Sequence, residues 1–163
     1  MNVCRQLLYS PLYVNEQMLE FSLRNSSIHV NKVYVLCSNS TWNNSEYEWD
    51  YDVLFIHKMQ SKYNCEFIFG DWPNEHAMRN AGIDIAKNDG CDWLIIQDAD
   101  EFLTDETFLD LKRTMLLNPN VDGVKLPMIT FWKDWDYVLV DDHNKPAVFN
   151  ALMAVNLKTD SHF

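Results

Sequence analysis

Short apolar runs alternate with longer helical patterns through the first two thirds of the chain. Leu7-Leu8-Tyr9 reads as a strand, and Asn15 is placed to cap a helix carrying Met18, Leu19, Ser22 and Leu23. Lys32 to Cys37 is β-branched and aromatic, which favours a strand, and it stops at the polar stretch Ser38 to Ser45, the clearest loop. Tyr47 to Tyr63 has no clean period, and its length favours a helix. Cys65 to Phe69 is a third strand. Met78, Ala81, Gly82 and Ile85 recur at i, i+3, i+4 and i+7, the spacing of one helix face. Asp92 to Gln97 follows as a fully buried strand. This β-α-β-α-β-α-β order predicts a parallel sheet with helices on both faces.

The pattern then changes. Thr104 can cap a helix from Asp105 to about Leu117, ended by Asn118-Pro119. Beyond it, Gly123 to Phe131, Tyr137 to Val140 and the apolar run Ala147 to Val155 are strand-like, predicting hairpins at one edge of a mixed sheet. With only four glycines, turns are marked by Asn, Asp and Ser. No repeat or flexible linker divides the 163 residues, a length that suits one domain.

Charge narrows the partners. Thirteen basic against 24 acidic residues give −11. Such a surface repels phosphate backbones and anionic lipid, which argues against nucleic acid and membrane surfaces. A small anionic substrate then needs local help from an arginine or a metal ion. No apolar run reaches the roughly 18 residues of a membrane-spanning helix. Arg5 stands alone before a run broken by Ser10 and Pro11, a poor signal peptide. Cys4, Cys37, Cys65 and Cys91 lie too far apart for a C-x-x-C site, and three of them edge apolar runs. Reduced structural thiols and a cytoplasmic setting are therefore expected.

The most informative segment is Ile95-Ile96-Gln97-Asp98-Ala99-Asp100-Glu101-Phe102. A buried strand running into three acids costs free energy unless something compensates the charge. In extended backbone Asp98 and Asp100 would point the same way. Paired carboxylates at the carboxyl end of a parallel strand lie where open α/β sheets bind ligands, and oxygen donors suit Mg²⁺ or Mn²⁺. The plain alternative is a solvated turn. Upstream, the apolar stripe of the Met78 to Ala86 helix leaves Arg79 at its edge and Asn80 opposite, while Gly82 permits close approach to a strand. Arg79 can supply positive charge to an anionic substrate, or simply pair with Asp71 or Glu75.

Arg79-Asn80-Ala81-Gly82-Ile83 followed by Asp92-Trp93-Leu94-Ile95-Ile96-Gln97-Asp98-Ala99-Asp100-Glu101 resembles the family 2-type glycosyltransferases, in which such a helix precedes a strand ending in D-x-D. The likeness covers about residues 5 to 105. It implies an α/β GT-A (Rossmann-like) three-layer sandwich whose sheet is mostly parallel. The donor part would span about residues 1–105, and a short acceptor-side part about 106–163. It implies a nucleotide-diphosphate sugar as donor, with an acceptor of glycan, lipid or protein type. Ser10, Tyr13 and Glu16 would line the base pocket, and Arg79 with Asn80 would lie against the nucleotide or diphosphate. Asp98 would lie near ribose and metal, and Asp100 would ligate Mn²⁺ or Mg²⁺. His162 resembles a late histidine that completes the metal site in some of these enzymes, although at the chain end a disordered tail residue is the favoured reading.

This chain departs from the family in two places. Where the family usually has an acid after the second strand, Cys37-Ser38-Asn39 stands, so Ser38 or Asn39 would substitute. The acceptor side is short, and an inverting transfer needs a general base, for which Asp134, Asp136, Asp141 and Asp142 are unranked candidates. Trp132, Trp135, Phe131 and Tyr137 can stack on a sugar or simply pack. His29, His57, His76 and His143 show no ligand spacing, and no G-x-S-x-G elbow supports a serine triad. Two other readings stand beside the transferase. One is a nucleotidyltransferase, against which Ser10-Pro11-Leu12-Tyr13 lacks a glycine-rich phosphate loop. The other is a shortened domain that binds nucleotide sugar or a protein partner without turnover.

Overall fold

A computed structural model describes residues 1–39, 51–132 and 134–159. The elements run β1 (Val3–Tyr9), α1 (Glu16–Ser26), β2 (Lys32–Ser38), α2 (Val53–Lys62), β3 (Cys65–Gly70), α3 (Glu75–Asn88) and β4 (Trp93–Asp98). After them come α4 (Asp105–Leu117), β5 (Gly123–Ile129), the short β6 (Phe131–Trp132) and β7 (Asp134–Val138), and β8 (Val148–Asn156). Each helix starts at a side chain that accepts from its first turn. Asn15 takes the Met18 amide, Asp52 the Leu54 and Phe55 amides, Asn74 the Ala77 amide and Thr104 the Thr107 amide. Such caps contribute about 1 kcal/mol apiece. The helix expected between Tyr47 and Tyr63 therefore begins at Val53, because Asp52 fixes its start.

Six strands form one sheet in the order β3-β2-β1-β4-β8-β5, and β6 and β7 pair antiparallel as a separate two-stranded sheet. β3, β2, β1 and β4 are parallel, and β8 is antiparallel to both β4 and β5. Of the late strands expected at the sheet edge, β5 and β8 do add there, with β8 between β4 and β5, whereas the strand at Tyr137 pairs with β6 in the separate two-stranded sheet. Val124 faces Ala154 and Lys125 faces Leu152, so Met153 is the extra residue of a bulge. That bulge lets Met153 and Ala154 both pack with Phe108, Leu111 and Met115 of α4.

Alternation along β1 sorts the core. Leu7 and Tyr9 join Leu19 and Leu23 of α1 and Ile56 and Met59 of α2 on one face. Cys4 and Leu8 join Met78, Ile83 and Ala86 of α3 on the other. Helices thus cover both faces, giving three layers. On α3 the fully buried side is Met78, Gly82, Ile83 and Ala86, with Ala81 and Ile85 half-buried beside it. Gly82 permits the close approach there: an added Cβ would collide with the side-chain amide of buried Gln6 on β1.

One expectation is overturned. Cys4 and Cys91 are not free thiols but a disulfide, with Cα atoms 6.2 Å apart. The β1–β4 register, Val3 opposite Trp93, brings the turn before β4 beside the start of β1. This pairing removes the thiol argument for a cytoplasmic setting, since disulfides persist mainly in oxidising compartments. Cys37 and Cys65 are buried thiols as expected, and burial pushes Cys65 up to about 11. No helix among the described residues is long and apolar enough to cross a membrane.

Candidate functional site

The four parallel strands end on one edge of the sheet, at Tyr9, Ser38, Gly70 and Asp98. Asp98 lies on the α3 side of β4, following the alternation set by buried Leu94 and Ile96. There Arg79 Nη2 donates to Asp98 Oδ1 at 2.8 Å, and the same guanidinium reaches Glu75 Oε1 at 2.7 Å. Of the two alternatives for Arg79, pairing with Glu75 is realised, and it coexists with the contact to Asp98. Glu75 was named only as a surface partner, yet it connects α3 to the acidic turn through Arg79.

The strand stops at Asp98, and the chain turns with Glu101 N donating to Asp98 O at 3.1 Å. Turn geometry, rather than strand alternation as expected, therefore sets where Asp100 lies relative to Asp98. The charge of exposed Asp100 is close enough to act on both Asp98 and Glu101. Glu101 Oε2 accepts from the Asp98 amide at 3.0 Å, and Ala99 N donates to Leu8 O at 3.0 Å, which pins the turn to β1. Burial pushes the Asp98 carboxyl above its ordinary value of 3.8; Arg79 pulls it down, while Glu75 and Asp100 add to the rise. Glu101 is likewise raised by burial, against the bond from the Asp98 amide. The turn thus carries more negative charge than Arg79 compensates.

A cavity of about 500 Å³ opens on the same edge, between the N-termini of α1 and α2. Tyr9, Tyr51, Phe55 and Ile56 form its apolar wall, and Asn15, Glu16, Gln17 and Asp52 its polar rim. Tyr51 packs against Tyr9 at 6.1 Å and Phe69 at 5.0 Å between ring centroids, and its hydroxyl donates to Ser38 O at 2.8 Å. Burial first, then the Glu16 and Cys37 charges, push Tyr9 up to about 12, so it is a neutral phenol.

The expected base-pocket residues divide. Glu16 lines this cavity, whereas Tyr13 points to solvent at 82% exposure. Ser10 lies outside the lining; its carbonyl accepts the Tyr13 and Val14 amides, and its buried hydroxyl oxygen has no partner among the described residues. Ser38 is buried at the end of β2 and Asn39 is exposed. Asn80 is half-buried on α3. The opposite wall, from Tyr51 to Ile56, escaped the sequence reading; its one visible signal was Asp52 at a helix start.

The acceptor-side candidates come from the segment between β5 and β8. β5 runs parallel to β4, so this segment leaves the sheet on the edge that carries Asp98. Asp136 and Asp142 are exposed, and Asp141 Oδ1 accepts the His143 and Lys145 amides of its own turn. Asp134 lies in β7, and Phe131 and Tyr137 are exposed. His162 lies outside the described residues. His29 is buried against Phe108 and pairs with Asp105 at 2.8 Å, a structural role.

The donor chemistry of the turn fits a hard divalent ion. Asp98, Asp100 and Glu101 are oxygen donors, and burial disfavours the charged form of Asp98 and Glu101, a cost that a cation would relieve. Among the described residues no three His, Cys, Asp or Glu side chains form a ready cage. An ion here would draw its remaining ligands from elsewhere.

These features define the fold class of the chain: a mixed α/β six-stranded sheet with helices on both faces, consistent with the Rossmann-like GT-A fold of the solved structures it matches. Its fold is similar to the 4-diphosphocytidyl-2C-methyl-D-erythritol synthase of Anaerococcus prevotii DSM 20548, with TM-score 0.58 and 13% identity over 96% of this chain and 70% of that one. A second synthase of the same name gives TM-score 0.54 and 14% identity over 96% and 75%. Residues 1–349 of S. aureus TarS give 0.50 and 15% over 76% of this chain, which spans only 38% of that one. TarS has also been crystallised with UDP-GlcNAc. No family model and no curated protein matches the chain in sequence.

Proposed function

We propose that this chain is a metal-dependent glycosyltransferase of the family 2 type, transferring a sugar such as a hexosyl group from a nucleotide-diphosphate donor. One observation carries the reading: the Asp98–Arg79 pair and its acidic turn share the sheet edge with an aromatic cavity rimmed by carboxylates. The base would enter that cavity, stacked on Tyr51 or Phe55, with Glu16 and Asp52 accepting N–H groups from its edge. Neither carboxylate suits a phosphate, so the diphosphate would extend toward Arg79 and the turn. Asp98 and Asp100 would hold Mn²⁺ or Mg²⁺, which offsets the diphosphate charge and stabilises the leaving group.

The chain's own groups divide the remaining work. Arg79 keeps Asp98 in one orientation and offers its guanidinium to the phosphates. Glu101 fixes the Asp98 amide and with it the shape of the turn. Residues 1–105 form the donor part, and residues 106–163 bring the 130–147 segment to the same edge for a glycan, lipid or protein acceptor. The acceptor proton would pass to a carboxylate of that segment. Asp141 is committed to its own turn, which leaves Asp134, Asp136 and Asp142.

Nucleotidyl transfer is the second reading, favoured by the synthase alignments that span 96% of this chain. Products separate the two. The protein is incubated with Mn²⁺ and either a panel of nucleotide sugars or the nucleoside triphosphates with sugar phosphates. Release of nucleoside diphosphate from one sugar donor supports the transferase. Pyrophosphate release from a triphosphate replaces it with the second reading. Tight binding of a nucleotide sugar with neither product, acceptors included, identifies a binding domain without turnover.

A further inference from the structure

Arg5 sits in the middle of β1 with no exposure at all, on the face it shares with Val3 and Leu7. Nothing in the proposed chemistry uses it. Burying a guanidinium costs several kcal/mol unless its donors are met, and an apolar side chain in such a place is often as stable or more so. Its neighbours on that face, Leu7 and Phe108, show that apolar packing is available.

The two terminal amino groups of Arg5 donate in two directions, while its Nε is buried with no partner among the described residues. Nη1 donates to Ser22 O at 2.9 Å and Nη2 to Ser22 Oγ at 3.1 Å, both on α1. Nη2 also donates to Glu101 O at 3.0 Å, the last residue of the acidic turn. The ring of Phe108, at the start of α4, lies 5.9 Å from the guanidinium carbon. Arg5 is thus a buried fork between the helix whose N-terminus rims the cavity and the turn that carries Asp98 and Asp100. Burial lowers its pKa to about 9, offset in part by the Glu101 charge, so it stays cationic at neutral pH. Its charge lies beneath a turn with excess negative charge.

We propose that Arg5 is a positioning residue of the donor site, holding the Asp98–Glu101 turn in register with α1 so that the turn's carboxylates and the cavity accept one ligand together. It touches neither base nor phosphate and acts through the Glu101 carbonyl. The ligand clause rests on the glycosyltransferase reading; the hold on the turn does not. A lysine cannot reproduce the fork, because one ammonium replaces two coplanar amino groups that point at α1 and at the turn.

The test compares wild type, Arg5→Lys and, as a milder lesion that keeps the guanidinium, Ser22→Ala. Amide exchange is read at Ala99, whose N–H ties the turn to Leu8 O of β1, at Glu101, whose N–H closes the turn on Asp98 O, and at Val35 and Leu36 in the core. UDP and GDP binding are titrated with and without Mn²⁺. Arg5→Lys is expected to speed exchange at Ala99 and Glu101 at least tenfold with the core amides unchanged, and to weaken Mn²⁺-dependent nucleotide binding at least tenfold. Ser22→Ala should move both in the same direction by less. Equal acceleration at turn and core, in whichever variant folds, overturns the proposal by making Arg5 a general stabiliser. Unchanged turn exchange overturns it too. If wild type binds no nucleotide while the turn amides respond as expected, the glycosyltransferase reading fails and the hold on the turn survives.

Discussion

Arg79 and Asp98 meet at 2.8 Å from different elements, α3 and the end of β4, and Arg79 also holds Glu75 one turn back on its own helix. Two carboxylates therefore share one guanidinium, and the further charge of Asp100 acts on Asp98 unanswered. Arg79→Met should leave Asp98 facing Glu75 and Asp100 without a cation. Affinity for a nucleoside diphosphate is expected to fall at least tenfold by calorimetry, with nucleoside affinity nearly unchanged. Equal losses for both would show that Arg79 serves only the fold.

Asp98 places function against stability. Its folded-state pKa lies above 3.8, so the native state holds its proton more tightly than the unfolded chain. Its contribution to stability is then fully present below 3.8 and is lost as pH rises through the raised folded value. Asp98→Asn removes that loss. Thermal melts in EDTA should show the variant gaining on wild type as pH rises from about 4 to 7. A variant that falls behind over that range would mean that the Arg79 contact outweighs burial.

Gly82 and Gln6 form a steric pair across the α3–β1 interface. A Cβ at Gly82 would collide with Gln6 Oε1 and lie 2.6 Å from its Cδ, and Gln6 has no exposed surface into which to move. Gly82→Ala should cost about 1–3 kcal/mol in urea unfolding. In a Gln6→Ala background the same change should cost much less, because the clashing amide is gone. Additive costs in the double variant would place the strain elsewhere.

The Cys4–Cys91 disulfide closes a span of 87 residues between β1 and the turn before β4. Denatured but unreduced protein should titrate two thiols, Cys37 and Cys65, and reduced protein four. Cys91→Ser is expected to lower stability by about 2–4 kcal/mol under oxidising conditions, and to have far less effect in reductant. Four titratable thiols without reductant would contradict the pairing.

Much of the fold was legible because its signals are local. Asn15, Thr104 and the apolar periods set elements that depend on neighbours a few residues away. The bulge at Met153 and the placement of β8 inside β5 depend on pairing across distant segments, which periodicity does not encode. Asp98 was legible because an acid after a buried strand is anomalous in itself. Arg5 and the Tyr51–Ile56 wall were not, since their meaning arises only when β1, α1 and α2 converge. The disulfide was missed for the same reason: Cys4 and Cys91 are neighbours only through the β1–β4 register. The likeness to family 2 glycosyltransferases anticipated the fold, whereas the family assignment rests on experiments still to be made.

The most direct of these is a metal titration by calorimetry on wild type and Asp100→Ala. UDP and GDP are titrated with Mn²⁺ and again in EDTA. Wild type should bind one nucleotide in the micromolar range only with metal, and Asp100→Ala should lose at least a hundredfold of that affinity while keeping its melting temperature within a few degrees. Nucleotide affinity in the folded variant that equals wild type, with and without metal, would contradict the assignment of the acidic turn as the donor site.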